Sequence, residues 1–236
     1  MIVLPMAGLS SRFFADGYTL PKYQLKLGQK TIFEHVLDSF KIYFKSDLFA
    51  FGLNTKFLDS EFVESIAKGK GIQNFCIIPV GEHTLGQAHT VDIMLQHLQT
   101  EDELYVFNID TIHHRFVKLP FVGSNYEAYL ELFSGVGNHW SFAKLDEHFL
   151  AVEFAEKKRI SNYCSNGLYA FKSAQKYTEI FKEYQKQHRS ELYIAPMLNL
   201  YLENSLPVFG KICSVEDFTF CGTPVEFEKA RSELSC

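Results

Sequence analysis

The sequence is poor in cysteine pairs, in long apolar runs and in net positive charge, and each shortage excludes a class of protein. Its five cysteines, Cys76, Cys164, Cys213, Cys221 and Cys236, are odd in number, far apart and free of any Cys-x-x-Cys spacing. A disulfide scaffold or a zinc ribbon needs paired, closely spaced thiols. Free thiols in a reducing, cytoplasmic compartment are therefore expected. No apolar stretch approaches the ~18 residues that cross a bilayer. The first nine residues carry no basic start of a secretory signal, so no membrane partner is expected. The formal net charge is −5, so nothing draws the whole chain to nucleic acid. The 7 prolines and 14 glycines gather into no linker, repeat or low-complexity tract, so residues 1–236 read as a single domain.

Apolar residues are plentiful instead. They make up 47% of the chain, enough for a core that needs no disulfide or metal to hold it. The 23 phenylalanines suggest Phe-rich surfaces that would suit a homodimer. In the first half, short apolar runs at 2–5, 48–53, 75–80 and 104–109 predict strands. Helical spacing predicts helices over 31–45, 57–68 and 85–98. A long polar loop reaches from the first strand to about Lys30. Such alternation predicts an α/β fold with a parallel sheet covered by helices on both faces. From Glu127 the pattern turns strand-rich, at 128–133, 142–145, 150–153 and 168–171, before helices over 173–187 and 192–203. Thr223-Pro224-Val225-Glu226 predicts one more helix, with Thr223 as cap, Pro224 first and Glu226 completing a capping box.

Two phosphate-binding loops are missing. No strand leads into Gly-x-Gly-x-x-Gly, and Gly28-Gln29-Lys30-Thr31 lacks the glycine before lysine that a Walker loop requires. The first strand instead runs into Ala7-Gly8-Leu9-Ser10-Ser11-Arg12. Small residues there let backbone N–H groups approach a polyphosphate, and Arg12 adds a bidentate cation. Lys22, after Pro21, supplies a second positive charge.

Read in order, the motifs Ala-Gly-x-Ser-Ser-Arg-Phe, Pro21-Lys22-Tyr23, Gly86-Gln87-Ala88, Asn108-Ile109-Asp110 and Ala155-Glu156-Lys157 form a signature. It continues through Ser165-Asn166-Gly167 to Cys221-Gly222-Thr223-Pro224. The chain resembles the bacterial sugar-phosphate nucleotidyltransferases over nearly its whole length. That resemblance implies a Rossmann-like central mixed, mostly parallel sheet flanked by helices, the nucleotide-diphospho-sugar transferase fold. It implies a nucleotide-binding half over 1–125 and an acceptor-binding half over 126–236. The implied partners are a nucleoside triphosphate and a phosphorylated small molecule, with Mg²⁺ as cofactor. Arg12, Lys22 and Lys157 would be catalytic, and Ala7, Gly8, Ser10, Ser11, Gly86 and Gln87 would hold the nucleotide. Glu156, Lys157, Asn166 and Gly167 would hold the acceptor. Asp110 would hold the metal, with Glu216 or Asp217 as second carboxylate, because Phe220-Cys221 stands where relatives carry an aspartate.

The Ala-Gly opening is similar to the cytidylyltransferase branch, and within it to capsule enzymes that make CDP-glutamine from CTP and phosphoglutamine. A uridylyl-, thymidylyl- or guanylyltransferase of sugar 1-phosphates is the alternative, and a glycosyltransferase is a rival from another class. Such glycosyltransferases carry Asp-x-Asp at the metal strand, where this chain has Asn108-Ile109-Asp110. Among the remaining residues, His113 or His114 is placed to touch the acceptor. Asp16 and Tyr18 would lie over the nucleotide as a lid. Trp140 reads as core rather than ligand platform. No cysteine has a neighbouring base to activate it.

Overall fold

Alternate residues of the first strand face two different apolar cores, and that alternation organises the molecule. The computed structural model describes residues 1–188 and 190–234, and Cys236 lies outside them. The first half runs β1 (Ile2–Met6), α1 (Ser11–Ala15), β2 (Lys26–Leu27), β3 (Lys30–Thr31), α2 (Ile32–Asp38), β4 (Leu48–Leu53), α3 (Ser60–Gly69), β5 (Asn74–Pro79), α4 (Gln87–Leu98), β6 (Leu104–Val106) and β7 (Thr111–His113). Then come β8 (Ala128–Ser134), β9 (Ser141–Leu145), β10 (Ala151–Glu156), β11 (Tyr163–Phe171), α5 (Ala174–Gln187), α6 (Ile194–Glu203), β12 (Val208–Ile212), β13 (Phe218–Phe220) and α7 (Pro224–Leu234).

The main sheet has the order β10-β9-β11-β6-β1-β4-β5, with β8 beside β11 and β12 beside β8. It is parallel through β6-β1-β4-β5 and at β8-β12, and antiparallel around β11. Val3, Ala50, Leu104 and Val106 point into one core, which α4, α5 and α6 cover with Val91, Met94, Tyr177, Phe181, Leu198 and Tyr201. Ile2, Leu4, Phe49, Phe51, Tyr105 and Phe107 point into the other, closed by Phe33 and Val36 of α2, Val63 of α3 and Phe227 of α7. Helices on both faces force the parallel strands between them to be apolar, as β1, β4 and β6 are here. This is the mixed sheet that the family resemblance implies; the alternation by itself predicts only its parallel part.

Most of the phenylalanines are buried. Phe149 is the one phenylalanine among the exposed large apolar side chains of the described residues, so the Phe-rich surface expected for a homodimer is not there. Ring-on-ring contacts such as Phe40 with Phe107 and Phe116 hold the second core instead.

Local corrections have local causes. The loop to Lys30 contains the short α1 and the β2–β3 ribbon. The helix expected over 31–45 ends at Asp38, and the Ser39 hydroxyl there accepts the His113 N–H at 2.9 Å. Thr31 and Glu34 form a capping box at its start, in addition to the one expected at Thr223. The Thr223 box is present: Glu226 N–H donates to Thr223 Oγ1 at 3.3 Å, and Thr223 N–H to Glu226 Oε2 at 2.9 Å. No described helix is long and apolar enough to cross a membrane.

Candidate functional site

Strand β1 pairs with β4 on one side and β6 on the other, so strand order reverses at its carboxyl end. Open α/β sheets bind ligands in the crevice such a reversal creates. A cleft of about 790 Å³ opens there, lined by residues of both halves of the chain.

On the β1 side the cleft is lined by Ala7, Gly8, Ser10, Arg12 and Lys22. Ser10 turns the chain with φ 52, and its Oγ accepts the Lys22 N–H at 3.0 Å, which ties the two cationic segments together. Buried Asn54 braces the loop from below, donating to Ala7 O and Glu82 O, each at 2.9 Å. Lys22 Nζ reaches Asp110 Oδ2 at 2.5 Å. The backbone of Asp110 is held in turn, since its carbonyl accepts the Cys221 N–H at 2.7 Å.

Gly222 has no side chain where two carboxylates converge. A Cβ at that position would lie 3.2 Å from Asp110 Oδ2 and 3.4 Å from Glu226 Oε2. The second carboxylate beside Asp110 is thus Glu226. Glu216 and Asp217 do not line the cleft: they sit in a turn before β13, where Asp217 pairs with Arg115 at 3.5 Å. Two carboxylates converging over a residue without a side chain suit Mg²⁺, which takes few protein oxygens and keeps several waters. Among the described residues no group of three or more His, Cys, Asp or Glu forms a metal cluster. Burial pushes the Cys221 thiol up to about 12, with the charges of Asp110 and Glu226 adding to it, so it is no nucleophile.

Gly86 and Gln87 line the far wall, at the start of α4. Gly86 adopts φ 129, and a Cβ there would lie 2.5 Å from the Leu192 carbonyl oxygen. Close packing against the segment before α6 requires this glycine. Gln87 Nε2 donates to Asn108 Oδ1 at 2.5 Å, and Asn108 rests on Gly167, where a Cβ would lie 2.1 Å from Asn108 Nδ2. Gly167 also has φ 93, which a side chain would strain.

Asn166, Gly167, Ser141, Glu156, Trp140, Phe220, Glu191 and Tyr193 line the cleft from the second half of the chain. Asn166 is turned inward, donating to the buried Glu131 at 2.9 Å. Glu156 accepts from the Ser141 hydroxyl. Its carboxyl is pushed above the usual range, chiefly by burial, with the negative charge of Glu191 adding to that. Lys157 stands at the rim with φ 54; its N–H donates to Trp140 O at 2.9 Å and its Nζ to Tyr193 Oη at 2.5 Å.

Several expected residues fall elsewhere. Ser11 and Lys157 do not line the cleft, although their neighbours Ser10 and Glu156 do. His113 is buried against Glu131 and His114 bonds Thr219, and neither lines the cleft. Tyr18 is docked on α7, donating to Glu228 at 2.5 Å and packing on Phe227, and neither it nor Asp16 covers the cleft. Trp140, expected in the core, is half-buried and lines the cleft. Asn54, Glu191, Tyr193 and Phe220 carried no sequence signal. Glu226 carried one, but its helix cap explained it fully.

No protein-family model matches the chain, and no curated protein does. Solved structures do match. The crystal structure of the nucleoside-diphosphate-sugar pyrophosphorylase from Vibrio cholerae RC9 is 39% identical, with a TM-score of 0.93 over 98% of this chain and 100% of its own. The inositol-1-phosphate CTP transferase from T. maritima is 12% identical, with a TM-score of 0.75 over 99% of this chain and 95% of its own. The UDP-glucose pyrophosphorylase from Acinetobacter baumanii is 16% identical, with a TM-score of 0.73 over 98% and 92%. At those last two identities the likeness is one of fold.

Proposed function

The chain belongs to the nucleoside-diphosphate-sugar pyrophosphorylase family of nucleotidyltransferases, and on that premise we propose that it transfers CMP from CTP to a phosphorylated acceptor, releasing pyrophosphate. In its narrowest form the acceptor is phosphoglutamine, the product CDP-glutamine and the setting capsular polysaccharide synthesis. The observation that carries the transfer reading is the meeting of Arg12 and Lys22 with Asp110 and Glu226 at the carboxyl ends of the parallel strands. The Ala7-Gly8 opening favours CTP.

Transfer of this kind joins an acceptor phosphate oxygen to the α-phosphorus and breaks the bond from that phosphorus to the bridging oxygen. Both partners are anions, so charge is the main obstacle and alignment the second. The acceptor phosphate is ionised already, and no side chain need remove a proton. Arg12 binds the β- and γ-phosphates and Lys22 the α-phosphate. Ala7, Gly8 and Ser10 shape the loop beneath them, with Gly86 and Gln87 beside the base. Asp110 and Glu226 would hold Mg²⁺, which supplies neutralising charge on the triphosphate when bound. Lys157 leaves Tyr193 for the acceptor phosphate, and the Asn166-Gly167 turn bounds the acceptor. On this reading residues 1–125 serve the nucleotide and 126–236 chiefly the acceptor.

A thermal-shift panel tests it, with Mg²⁺ and each of CTP, UTP, dTTP, GTP, ATP and several NDP-sugars. A triphosphate at about 100 times its Kd stabilises the fold by about 2.7 kcal/mol. CTP is expected to raise Tm most, with pyrophosphate released once acceptor is added. A response to UTP or dTTP alone replaces the cytidylyl reading with a uridylyl or thymidylyl one. Stabilisation by NDP-sugars alone overturns transfer in favour of a glycosyltransferase.

A further inference from the structure

We infer that the acceptor side of the cleft is a subsite for a cationic, ammonium-type group, formed by the ring of Trp140 beside Phe220 and the carboxylates of Glu156 and Glu191; the inference rests on the nucleotidyl-transfer reading above.

The aromatic wall comes first. Trp140 Nε1 donates to Val136 O at 3.0 Å, so the one polar hydrogen of the indole is spent inside the protein. The ring stands edge-on to Phe133, with centroids 5.2 Å apart at 89°, and 4.9 Å from Phe220. The His139 ring also packs on it, with centroids 4.4 Å apart at 38°, so Trp140 lines the cleft as part of an aromatic wall and offers no free donor for a hydroxyl. A π face attracts cations, tryptophan most strongly.

The carboxylates are the second observation. Glu156, at the end of β10, and Glu191, just before α6, line the same cleft as Trp140. Each accepts a hydroxyl hydrogen, Glu156 from Ser141 and Glu191 from Tyr193. Among the described residues neither is ion-paired with Lys, Arg or His. The nearby cation Lys157 has its Nζ on the Tyr193 hydroxyl and 4.6 Å from that ring's centroid. When Lys157 moves to the acceptor phosphate, its charge is cancelled there. Two like charges, the half-buried Glu156 and the exposed Glu191, then share one wall, and Glu156 already feels Glu191 as a repulsive neighbour. A neutral sugar could accept or donate hydrogen bonds here but would leave both charges uncompensated. A positive group between Trp140 and the two carboxylates compensates them, while the acceptor phosphate stays near Lys157.

The test compares charged acceptors with neutral isosteres of the same shape. Phosphocholine is titrated against 3,3-dimethylbutyl phosphate, and O-phosphoethanolamine against propyl phosphate. Calorimetry is run on the whole protein with Mg²⁺ and the α,β-methylene analogue of whichever triphosphate binds, which prevents turnover. At least one cationic member is expected to bind tenfold or more tightly than its isostere. Glu191→Gln and Trp140→Leu are each expected to shrink that ratio severalfold while the triphosphate analogue binds as before. Triphosphate binding without any preference for a cationic member, or with tighter binding of glucose 1-phosphate, overturns the subsite and spares the transfer reading. Failure of every triphosphate to bind overturns the transfer reading itself.

Discussion

Lys22 and Asp110 lie 88 residues apart in sequence and meet as an ion pair, with Nζ 2.5 Å from Oδ2. Their side chains keep 18% and 21% of their surface exposed, so the pair stands in the cleft wall and is open to ligands. The lysine proposed for the α-phosphate therefore rests on the carboxylate proposed for the metal. Ligand binding has to part them.

Lys22→Met removes that competition. Mn²⁺ binding to the nucleotide-free protein, monitored by electron paramagnetic resonance, is expected to tighten severalfold. Pyrophosphate release is expected to fall by about 10²-fold, the usual cost of losing one preorganised charge. Unchanged Mn²⁺ affinity would show that Lys22 does not guard Asp110.

Glu226 has two jobs that a conservative change separates. Glu226→Gln retains an oxygen for the Thr223 capping box, because glutamine also serves at that position. Stability is expected to change by less than about 1 kcal/mol in urea denaturation. Transfer is expected to fall by about 10²-fold. If activity persists, the second carboxylate has been misassigned.

A methyl group at Gly167 would make a severe side-chain contact at a positive φ. Gly167→Ala would place a Cβ 2.1 Å from Asn108 Nδ2 at φ 93. A loss of about 1–3 kcal/mol is expected from crowding and strain together. Because Asn108 holds Gln87, Kd for the triphosphate should rise in the same variant. Equal stability of the two proteins would contradict the packing.

Glu131 makes a pH prediction. It is buried, and accepts His113 Nε2 at 2.8 Å, Asn166 Nδ2 at 2.9 Å and Lys211 Nζ at 2.7 Å. Burial alone would raise its carboxyl, but the bonds and charges of His113 and Lys211 prevail and hold it below the ordinary 4.5. A depressed carboxyl contributes stability that is present above about pH 4.5 and lost as pH falls through the folded value. Glu131→Gln is expected to cost about 3 kcal/mol at pH 7, since it leaves Lys211 uncompensated. Chemical denaturation across pH 3 to 7 should show the gap closing toward acid. A gap that stays constant would place the acid sensitivity elsewhere.

Periodicity and caps made much of the fold legible. The run at 48–53 matches β4 residue for residue, and the helix expected over 173–187 begins one residue later at Ala174. Thr223 and Glu226 announced α7 because a capping box is written in four consecutive residues. The strands β7, β12 and β13 were not legible in this way. β7 and β13 are three residues each and pair with each other across more than a hundred positions, so no local pattern marks them.

Spacing and residue type, which are local properties, were enough for the alternation of strand and helix and for the glycine and serine loop after β1. They were enough too for the cations Arg12 and Lys22 that point to phosphate chemistry, while the carboxylate Asp110 followed from the family resemblance. They could not choose Glu226 over Glu216 or Asp217 as the group facing Asp110 across Gly222. Nor could they turn Trp140 toward the cleft beside Glu156 and Glu191. Which side chains meet there depends on how β13, α7 and the segment before α6 pack on the sheet, and that packing is a property of the whole core.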